Sequence, residues 1–230
     1  MLSILMPVYN ERERVQAAID EVLKTELPAE FELIVVDDGS TDGTREILRE
    51  GDWEGRVRLL EHPVNLGKGA AVRTALGQAR GELAAIFDAD LEYDPKDLAI
   101  LMPPLLDGRT NACFGVRAFD GYTSHSFLYV LGNKSVTLAC NLLFNVYLHD
   151  IMTCQKMLRT DLFRSLPLRE PGFAIEPEIT ARLVQAGERI FEVPIHYRAR
   201  ATEEGKKLTA LDGFRVLATL LRCRFTPLER

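Results

Sequence analysis

Short apolar runs separated by longer, helix-patterned intervals make up the first half of the chain. Each run ends at a polar or glycine-rich turn, which is typical of buried strands. The runs are Leu2 to Val8, Phe31 to Val36, Val57 to Leu60, Leu83 to Phe87 and Ala112 to Val116. The pattern therefore predicts five strands before residue 118.

The intervals between these strands have apolar residues on one side of a helix. Such one-sided sets are Val15, Ala18, Ile19, Val22 and Leu23 in the first interval, and Ala71, Ala75, Leu76 and Ala79 in the third. Strands that alternate with helices form a mainly parallel central sheet with helices on both faces. We therefore predict an α/β fold whose ligands bind at the carboxyl ends of the strands.

Three of the predicted strands end in unusually polar segments. These segments are Pro7 to Glu11, Asp37 to Thr44 and Asp88 to Glu92. Parallel strands end at the same edge of a sheet, so the three segments are expected to lie together. Carboxylates gathered at one edge repel one another, and we also expect cationic or hydrogen-bonding groups among them.

The segment from residue 126 to residue 148 is strongly apolar but has a polar stripe. Asn133, Thr137, Asn141 and Asn145 recur every four residues and would share one helix face. Such a helix lies on a membrane or packs on the domain rather than spanning a bilayer. The pattern then predicts a helix from Pro177 to Gln185, a strand from Arg189 to Ile195 and a helix from Thr209 to Leu221.

The C-terminal helix is amphipathic and basic. Its apolar face comprises Phe214, Leu217, Ala218, Leu221 and Phe225, and Arg215, Arg222 and Arg224 lie beside that face. From residue 196 to the end, eight Lys and Arg stand against four Asp and Glu, although the whole chain has a net charge of −6. This combination favours contact with an anionic bilayer; the alternative is a helix packed on the sheet.

Composition restricts the class of protein. The chain has 230 residues, of which 47% are hydrophobic and 27% charged, as expected for one soluble globular domain. Its acidic balance excludes nucleic-acid binding through a global positive charge. Cys113, Cys140, Cys154 and Cys223 are too scattered to indicate a zinc site or a disulfide framework. The N-terminal apolar run is short and lacks a preceding basic region, so we expect a cytoplasmic protein.

Asp88, Ala89 and Asp90 form the most informative cluster of candidate site residues. Two carboxylates with one small residue between them, at the end of a buried strand, can both turn toward one Mg²⁺ or Mn²⁺ ion. Glu92 follows within reach of the same ion. Such an ion would neutralise a diphosphate leaving group. Alone, the motif is equally typical of loop solvation and helix capping.

Two further segments suit a nucleotide. Asp38 follows a strand directly, where its carboxylate can accept from a base or a ribose hydroxyl, and capping of the next helix does not require it. Gly67, Lys68 and Gly69 lack the spacing of a P-loop or of a dinucleotide-binding fingerprint. A lysine near a helix N-terminus nevertheless suits an anionic ligand.

Taken in order, these motifs resemble those of family-2 glycosyltransferases of the GT-A fold, and within them the dolichol-phosphate mannose synthase and polyprenyl-phosphate glucosyltransferase branch. The donor-side motifs are Pro7 to Glu11, Val36 to Thr44, Asn65 to Gly69 and Asp88 to Pro95. The others are Gly115 to Arg117, Asp150 to Cys154, Phe173 to Glu178, Glu192 to Ile195 and Gly205 to Lys207. Most are short, but their joint order is specific and covers residues 1 to about 215. Two departures are Glu92, where the branch often has Gln, and Met152, where relatives often have Glu.

The resemblance implies a role for each matching residue. Pro7, Tyr9, Glu11, Asp38 and Lys68 would bind the nucleotide-sugar, Asp88 and Asp90 would handle metal and diphosphate with Glu92, and Arg117, Arg200 and Lys207 would hold an acceptor phosphate. It also implies one GT-A domain over residues 1–230. Within it, residues 1–118 would form the nucleotide-sugar half, residues 119–200 the acceptor half and residues 201–230 the basic amphipathic segment.

The implied reaction is inverting transfer of a hexose from GDP-mannose or UDP-glucose to a polyprenyl or dolichyl phosphate. A phosphate acceptor is already an anion and needs little help from a base, whereas a soluble hydroxyl acceptor needs a carboxylate base such as Asp150 or Glu176. A non-catalytic nucleotide-sugar-binding module is the remaining alternative. A sugar-1-phosphate nucleotidyltransferase is disfavoured because the glycine-rich segment of that class is missing after the first strand. The partners expected are therefore a nucleotide-sugar, a polyprenyl phosphate and a membrane surface, without nucleic acid.

Overall fold

The fold is an α/β sandwich, as predicted, with a seven-stranded sheet between helices. The structure is a computed structural model that describes residues 1–53, 55–118, 127–198, 210–226 and 228. The strands are β1 (Leu2–Val8), β2 (Phe31–Asp37), β3 (Val57–Glu61), β4 (Leu83–Ile86), β5 (Ala112–Ala118), β6 (Lys156–Arg159) and β7 (Ile190–His196). The helices are α1 (Val15–Lys24), α2 (Thr44–Glu50), α3 (Lys68–Gln78), α4 (Leu98–Leu106), α5 (Phe127–Phe144), α6 (Thr160–Ser165), α7 (Ile175–Gln185) and α8 (Ala210–Phe225).

The sheet order places the polar strand ends at one edge. The order is β3-β2-β1-β4-β6-β5-β7, and every pairing is parallel except those of β6, which is antiparallel to β4 and to β5. Six strands therefore end at one edge, and β6 begins there. The edge collects the residues that follow β1, β2 and β4 together with Lys156, the first residue of β6.

Two apolar layers hold the helices to the sheet, because successive strand residues point to opposite faces. On one face, Ile4 and Met6 pack with Ile19 of α1. On the other, Leu5 and Ile34 belong to the same buried cluster as several residues of α3 and α7. The alternation explains why the central strands are apolar throughout, as expected for a sheet covered on both sides.

The five predicted strands of the first half are confirmed, with boundaries within two residues. The predicted helix at Pro177 begins two residues earlier, at Ile175, and the C-terminal helix extends to Phe225 rather than Leu221. Neither β6 nor the helices α4 and α6 were predicted. Strand β6 has only four residues and charged ends, so its apolar pattern is too short to recognise.

The polar stripe of α5 packs against the protein. Asn133 donates to Asp150 at 3.1 Å, and Asn141 exchanges two hydrogen bonds with the backbone of Leu148. Asn145 was expected to continue the stripe, but it lies beyond the helix end with φ 53°. The stripe thus fastens the loop that carries Asp150, which confirms packing on the domain for this face of α5.

Both α5 and α8 have a row of apolar side chains that are exposed at the surface. On α5 the row comprises Leu131, Leu138 and Leu142; on α8 it comprises Phe214, Leu217, Leu221 and Phe225. The inward faces meet in one cluster that contains Val136 and Cys140 of α5 and Leu220 and Cys223 of α8. Within the described ranges, no helix has the length and apolarity needed to cross a membrane.

Candidate active site

The loops after β1 and β2 are joined side by side. Asn10, with φ 52°, donates from its backbone N–H to Ser40 and accepts from the backbone N–H of Thr41. The N–H of Glu11 donates to the hydroxyl of Thr44 at 2.9 Å. These bonds bring Pro7, Tyr9 and Glu11 to the same edge of the sheet as Asp38. These are the residues predicted to bind the nucleoside.

Asp38 is buried and fastens the loop before α3. Its carboxylate accepts from the backbone N–H groups of Leu66 and Gly67 at 2.9 and 2.7 Å, and its Oδ1 lies 2.7 Å from Nδ1 of His62. His62 in turn contacts the hydroxyl of Thr74 through its other ring nitrogen. Any contact of Asp38 with a nucleoside would therefore be additional to this structural role.

Lys68 lies between two carboxylates at the same edge. Its ammonium is 2.8 Å from each oxygen of Asp88 and 3.1 Å from Oε1 of Glu176. Burial works to lower the pKa of Lys68, but the charges of Asp88 and Glu176 outweigh it and hold the pKa well above its ordinary value. Lys68 is therefore a permanent cation of the site.

Close approach of another loop explains the glycines on either side of Lys68. Gly67 has φ 95°, and a Cβ atom there would collide with the carbonyl of Pro171. A Cβ atom on Gly69 would collide with the carbonyl of Glu170. The sequence pattern indicated an anionic ligand for Lys68 itself, and the structure shows that the glycines beside it accommodate the loop before α7.

Lys156 is a fully buried cation that sequence reasoning missed. Its ammonium donates to Oε2 of Glu176 at 2.9 Å and to the backbone carbonyls of Ile151 and Thr153, and it lies 4.8 Å from the ring centre of Phe114. Glu176 is 2% exposed and bridges the two lysines. The four side chains form a row of alternating charge: Lys156, Glu176, Lys68 and Asp88.

The turn after β4 holds the predicted metal ligands. Leu91, with φ 62°, lets the chain fold back so that the N–H of Glu92 donates to Asp90 at 3.1 Å. The carboxylate of Glu92 accepts from the hydroxyl of Tyr197 at 2.6 Å. Among the described residues, no group of three or more His, Cys, Asp or Glu side chains is placed to hold a metal ion.

Asp88 and Asp90 nevertheless suit a metal site with two protein carboxylates. Both side chains are half-buried at the edge, on one turn, and offer the oxygen ligands that Mg²⁺ and Mn²⁺ prefer. Protein sites for Mg²⁺ commonly use one or two carboxylates and complete the shell with substrate phosphates and water. The carboxylate of Glu92 is engaged by the hydroxyl of Tyr197, so the case for Glu92 as a metal ligand is weaker than that for Asp88 and Asp90.

Arg117 forms the second charged centre of the edge. Its guanidinium makes a bidentate ion pair with Asp150 at 2.6 and 2.9 Å and lies 5.0 Å from the ring centre of Tyr197. Burial raises the pKa of Asp150, but Arg117 and a hydrogen bond from Asn133 outweigh it and lower that pKa below 3.8. Asp150 is therefore a weak base.

The structure also locates some of the remaining candidate site residues. Of the two glutamates around Pro177, Glu176 faces the site, whereas Glu178 is fully buried and binds the backbone of Arg169 and Glu170. Arg200 and Lys207, predicted to hold an acceptor phosphate, lie outside the described residues. Tyr197, which links Arg117 to Glu92, was missed because its partners are far away in the sequence.

The comparisons with known proteins identify the chain as a glycosyltransferase and give its family. The model of Glycosyl transferase family 2 matches residues 3–166, so the chain belongs to that family. The sequence resemblance to family 2 is thus confirmed.

Curated relatives include proteins that act on polyprenyl phosphates. The chain is 30% identical over 233 aligned positions to a dodecaprenyl-phosphate galacturonate synthase of Rhizobium johnstonii, which covers 97% of this chain and 66% of the relative. It is 39% identical over 108 positions to dolichyl-phosphate beta-glucosyltransferase ALG5A of Trichomonas vaginalis, covering 44% of this chain and 33% of the relative. The chain thus spans about two thirds and one third of the lengths of these relatives.

Solved structures share the fold. Glucosyl-3-phosphoglycerate synthase of Mycobacterium tuberculosis superimposes with a TM-score of 0.76 at 22% identity, over all of this chain and 82% of that one. A crystal structure of that protein with Mg²⁺ and UDP gives a TM-score of 0.74, also at 22% identity, over all of this chain and 81% of the other. At this identity the likeness shows the fold alone.

Proposed function

We propose that the protein transfers a hexose or hexuronate from a nucleotide-sugar to a polyprenyl phosphate. The names of the Rhizobium and Trichomonas relatives support this acceptor class. Metal-dependent use of a nucleotide-sugar is supported by family membership and by the Mg²⁺ and UDP held by a protein of the same fold.

One observation carries the choice of acceptor: both candidate bases are bound by cations. Asp150 is held by Arg117, and Glu176 is held by Lys68 and Lys156. The lowered pKa of Asp150 makes this carboxylate a poor acceptor for the proton of a hydroxyl nucleophile, and Glu176 has a lysine ammonium against each of its oxygens. A phosphate monoester needs no such base, because its attacking oxygen already carries the negative charge.

The proposed step displaces a diphosphate from the anomeric carbon. The acceptor phosphate oxygen forms a bond to that carbon, and the bond to the nucleoside diphosphate breaks with its electron pair on the diphosphate. A Mg²⁺ or Mn²⁺ ion at Asp88 and Asp90 supplies Lewis-acid stabilisation of the leaving group when bound. Pro7, Tyr9, Glu11 and Asp38 surround the nucleoside, and Lys68 contributes positive charge beside the diphosphate.

Arg117, Arg200 and Lys207 are proposed to hold the acceptor phosphate. Of these three, only Arg117 lies among the residues that the structure describes. Its planar guanidinium has five N–H donors, so it can serve Asp150 and a phosphate at once. We further propose that residues 1–118 form mainly the donor half of the domain, residues 119–200 the acceptor half and residues 201–230 a basic segment, with Arg117 at the boundary between the two halves.

The outward apolar rows of α5 and α8 are proposed to rest on the membrane that contains the acceptor. Leu142, Phe214 and Phe225 are 75%, 72% and 78% exposed. Lys134 and Arg224 are exposed on the same two helices and complement anionic headgroups. A lipid surface matches this combination of apolar side chains with a basic fringe.

The test is transfer from UDP- and GDP-sugars, with Mg²⁺ or Mn²⁺, to a short-chain polyprenyl phosphate and to soluble hydroxyl acceptors. We expect product only with the polyprenyl phosphate. Loss of transfer in Asp90→Ala, with Asp20→Ala on the exposed side of α1 as the matched control, would place the chemistry at this turn. Transfer to a hydroxyl acceptor alone would overturn the proposal, and unchanged turnover of Asp90→Ala would favour a different site.

A further inference from the structure

The ammonium of Lys68 occupies the place where a cation would bind Asp88. It lies at the same distance, 2.8 Å, from both oxygens of that carboxylate, so it faces the carboxylate symmetrically. Lys68 is 8% exposed at its side chain, and the contact is shielded from most competing water. A divalent ion and this ammonium cannot both sit there, because their charges repel at such short range.

Glu176 provides a second position for the same ammonium. Its Oε2 is bound by Lys156, but its buried Oε1 has no hydrogen bond from any described residue. Lys68 is 3.1 Å from Oε1, which is an ion-pair contact without hydrogen-bond geometry. A small movement of the lysine side chain would convert this contact into a hydrogen bond and remove the ammonium from Asp88.

We propose that Lys68 is an exchangeable counter-ion of Asp88. When no nucleotide-sugar is bound, the ammonium of Lys68 prevents a metal ion from binding Asp88. When metal and nucleoside diphosphate bind together, Lys68 moves toward Glu176. The inference rests on the proposed donor site. Lys156 acts as a positioning residue, because it fixes the orientation of Glu176 from inside the core. Metal and diphosphate then bind cooperatively, since the diphosphate gives the displaced ammonium an additional anionic partner.

The test measures Mn²⁺ binding directly, by the electron paramagnetic resonance signal of free Mn²⁺, without any turnover. Wild-type protein should bind Mn²⁺ weakly alone and at least tenfold more tightly with UDP or GDP. Lys68→Met should bind Mn²⁺ alone at least tenfold more tightly than wild type, and Lys68→Arg should remain weak. Lys24→Met removes an exposed lysine of α1 and should match wild type.

Two further variants locate the effect. Lys68→Met combined with Asp88→Asn should lose the gain in Mn²⁺ affinity, because the gain requires that carboxylate. Glu176→Gln removes the charge of the second position and should weaken binding of Mn²⁺ with nucleotide while leaving Mn²⁺ alone weak. Melting temperatures identify any variant that fails to fold.

Tight Mn²⁺ binding by wild-type protein without nucleotide would overturn the proposal, as would unchanged affinity in a folded Lys68→Met. These outcomes are independent of the acceptor. Absence of transfer to polyprenyl phosphate, with the expected Mn²⁺ affinities, would refute the proposed function and leave the role of Lys68 intact.

Discussion

Removing the outward apolar side chains of α5 and α8 should abolish binding to anionic vesicles without unfolding the protein. The substitutions are Leu142→Gln, Phe214→Gln and Phe225→Gln. Glutamine is a good helix former, so the helices should persist. These side chains are at least 72% exposed in the free protein, so they contribute little to its folding.

The expected effect follows from the exposed area. Full burial of a Leu or Phe side chain contributes about 1.5–3 kcal/mol, and about three quarters of each of these side chains remains to be buried. Three such residues give about 4 kcal/mol, which is about a thousandfold in the partition coefficient. Replacing Arg224 by Gln should cost only about 1 kcal/mol, and only with anionic lipid.

The assay is co-sedimentation with phosphatidylcholine vesicles, with and without phosphatidylglycerol. A triple variant that sediments like wild type would refute the reasoning. So would wild-type protein that ignores vesicles and forms dimers in light scattering, because the apolar rows would then be a contact between copies. Equal melting temperatures of wild type and triple variant are the control for folding.

Two buried ion pairs give predictions about stability. Lys156→Met leaves one oxygen of Glu176 and the carbonyls of Ile151 and Thr153 without their donor, and should lower the free energy of unfolding by about 3–5 kcal/mol. Urea denaturation measures this, and the exposed Lys24→Met should stay within about 0.5 kcal/mol of wild type. Asp150→Asn should cost about 3 kcal/mol at pH 7 by leaving Arg117 unpaired. Because the folded pKa of Asp150 is lowered, its contribution is complete above its ordinary value of 3.8 and disappears as the pH falls through the folded value. The cost of Asp150→Asn should therefore shrink at pH 3 in a protein that is still folded, and an equal cost at both pH values would contradict the assignment.

The donor side of the edge could be predicted because each strand and the polar residues that follow it are adjacent in the sequence. Each of β1, β2 and β4 is an apolar run that ends abruptly in polar residues, and parallel topology alone then brings Glu11, Asp38 and Asp88 together. The expectation of cations among these carboxylates is also confirmed, by Lys68 at Asp88 and Arg14 at Glu11.

The inner half of the site could not be predicted in the same way. Lys156 stands directly before the apolar residues Met157 and Leu158, and a lysine at the end of such a short run is usually exposed. Its burial depends on Glu176, which is twenty residues away, and on carbonyls of the preceding loop. Likewise, the glycines beside Lys68 are explained by Pro171, about a hundred residues further along the chain.

The alternating row from Lys156 to Asp88 connects the core to the proposed chemistry. Glu176 is a buried carboxylate with one lysine ammonium on each side, and these two contacts fix its position. Removing either lysine would leave a partly compensated charge in the interior, which is costly. The two lysines and the glutamate thus stabilise the fold around an edge that is rich in carboxylates. In the proposed mechanism Glu176 does not act as a general base, and Lys68 is the counter-ion of Asp88 that the metal displaces. The proposed acceptor, a phosphate that brings its own negative charge, suits such an edge.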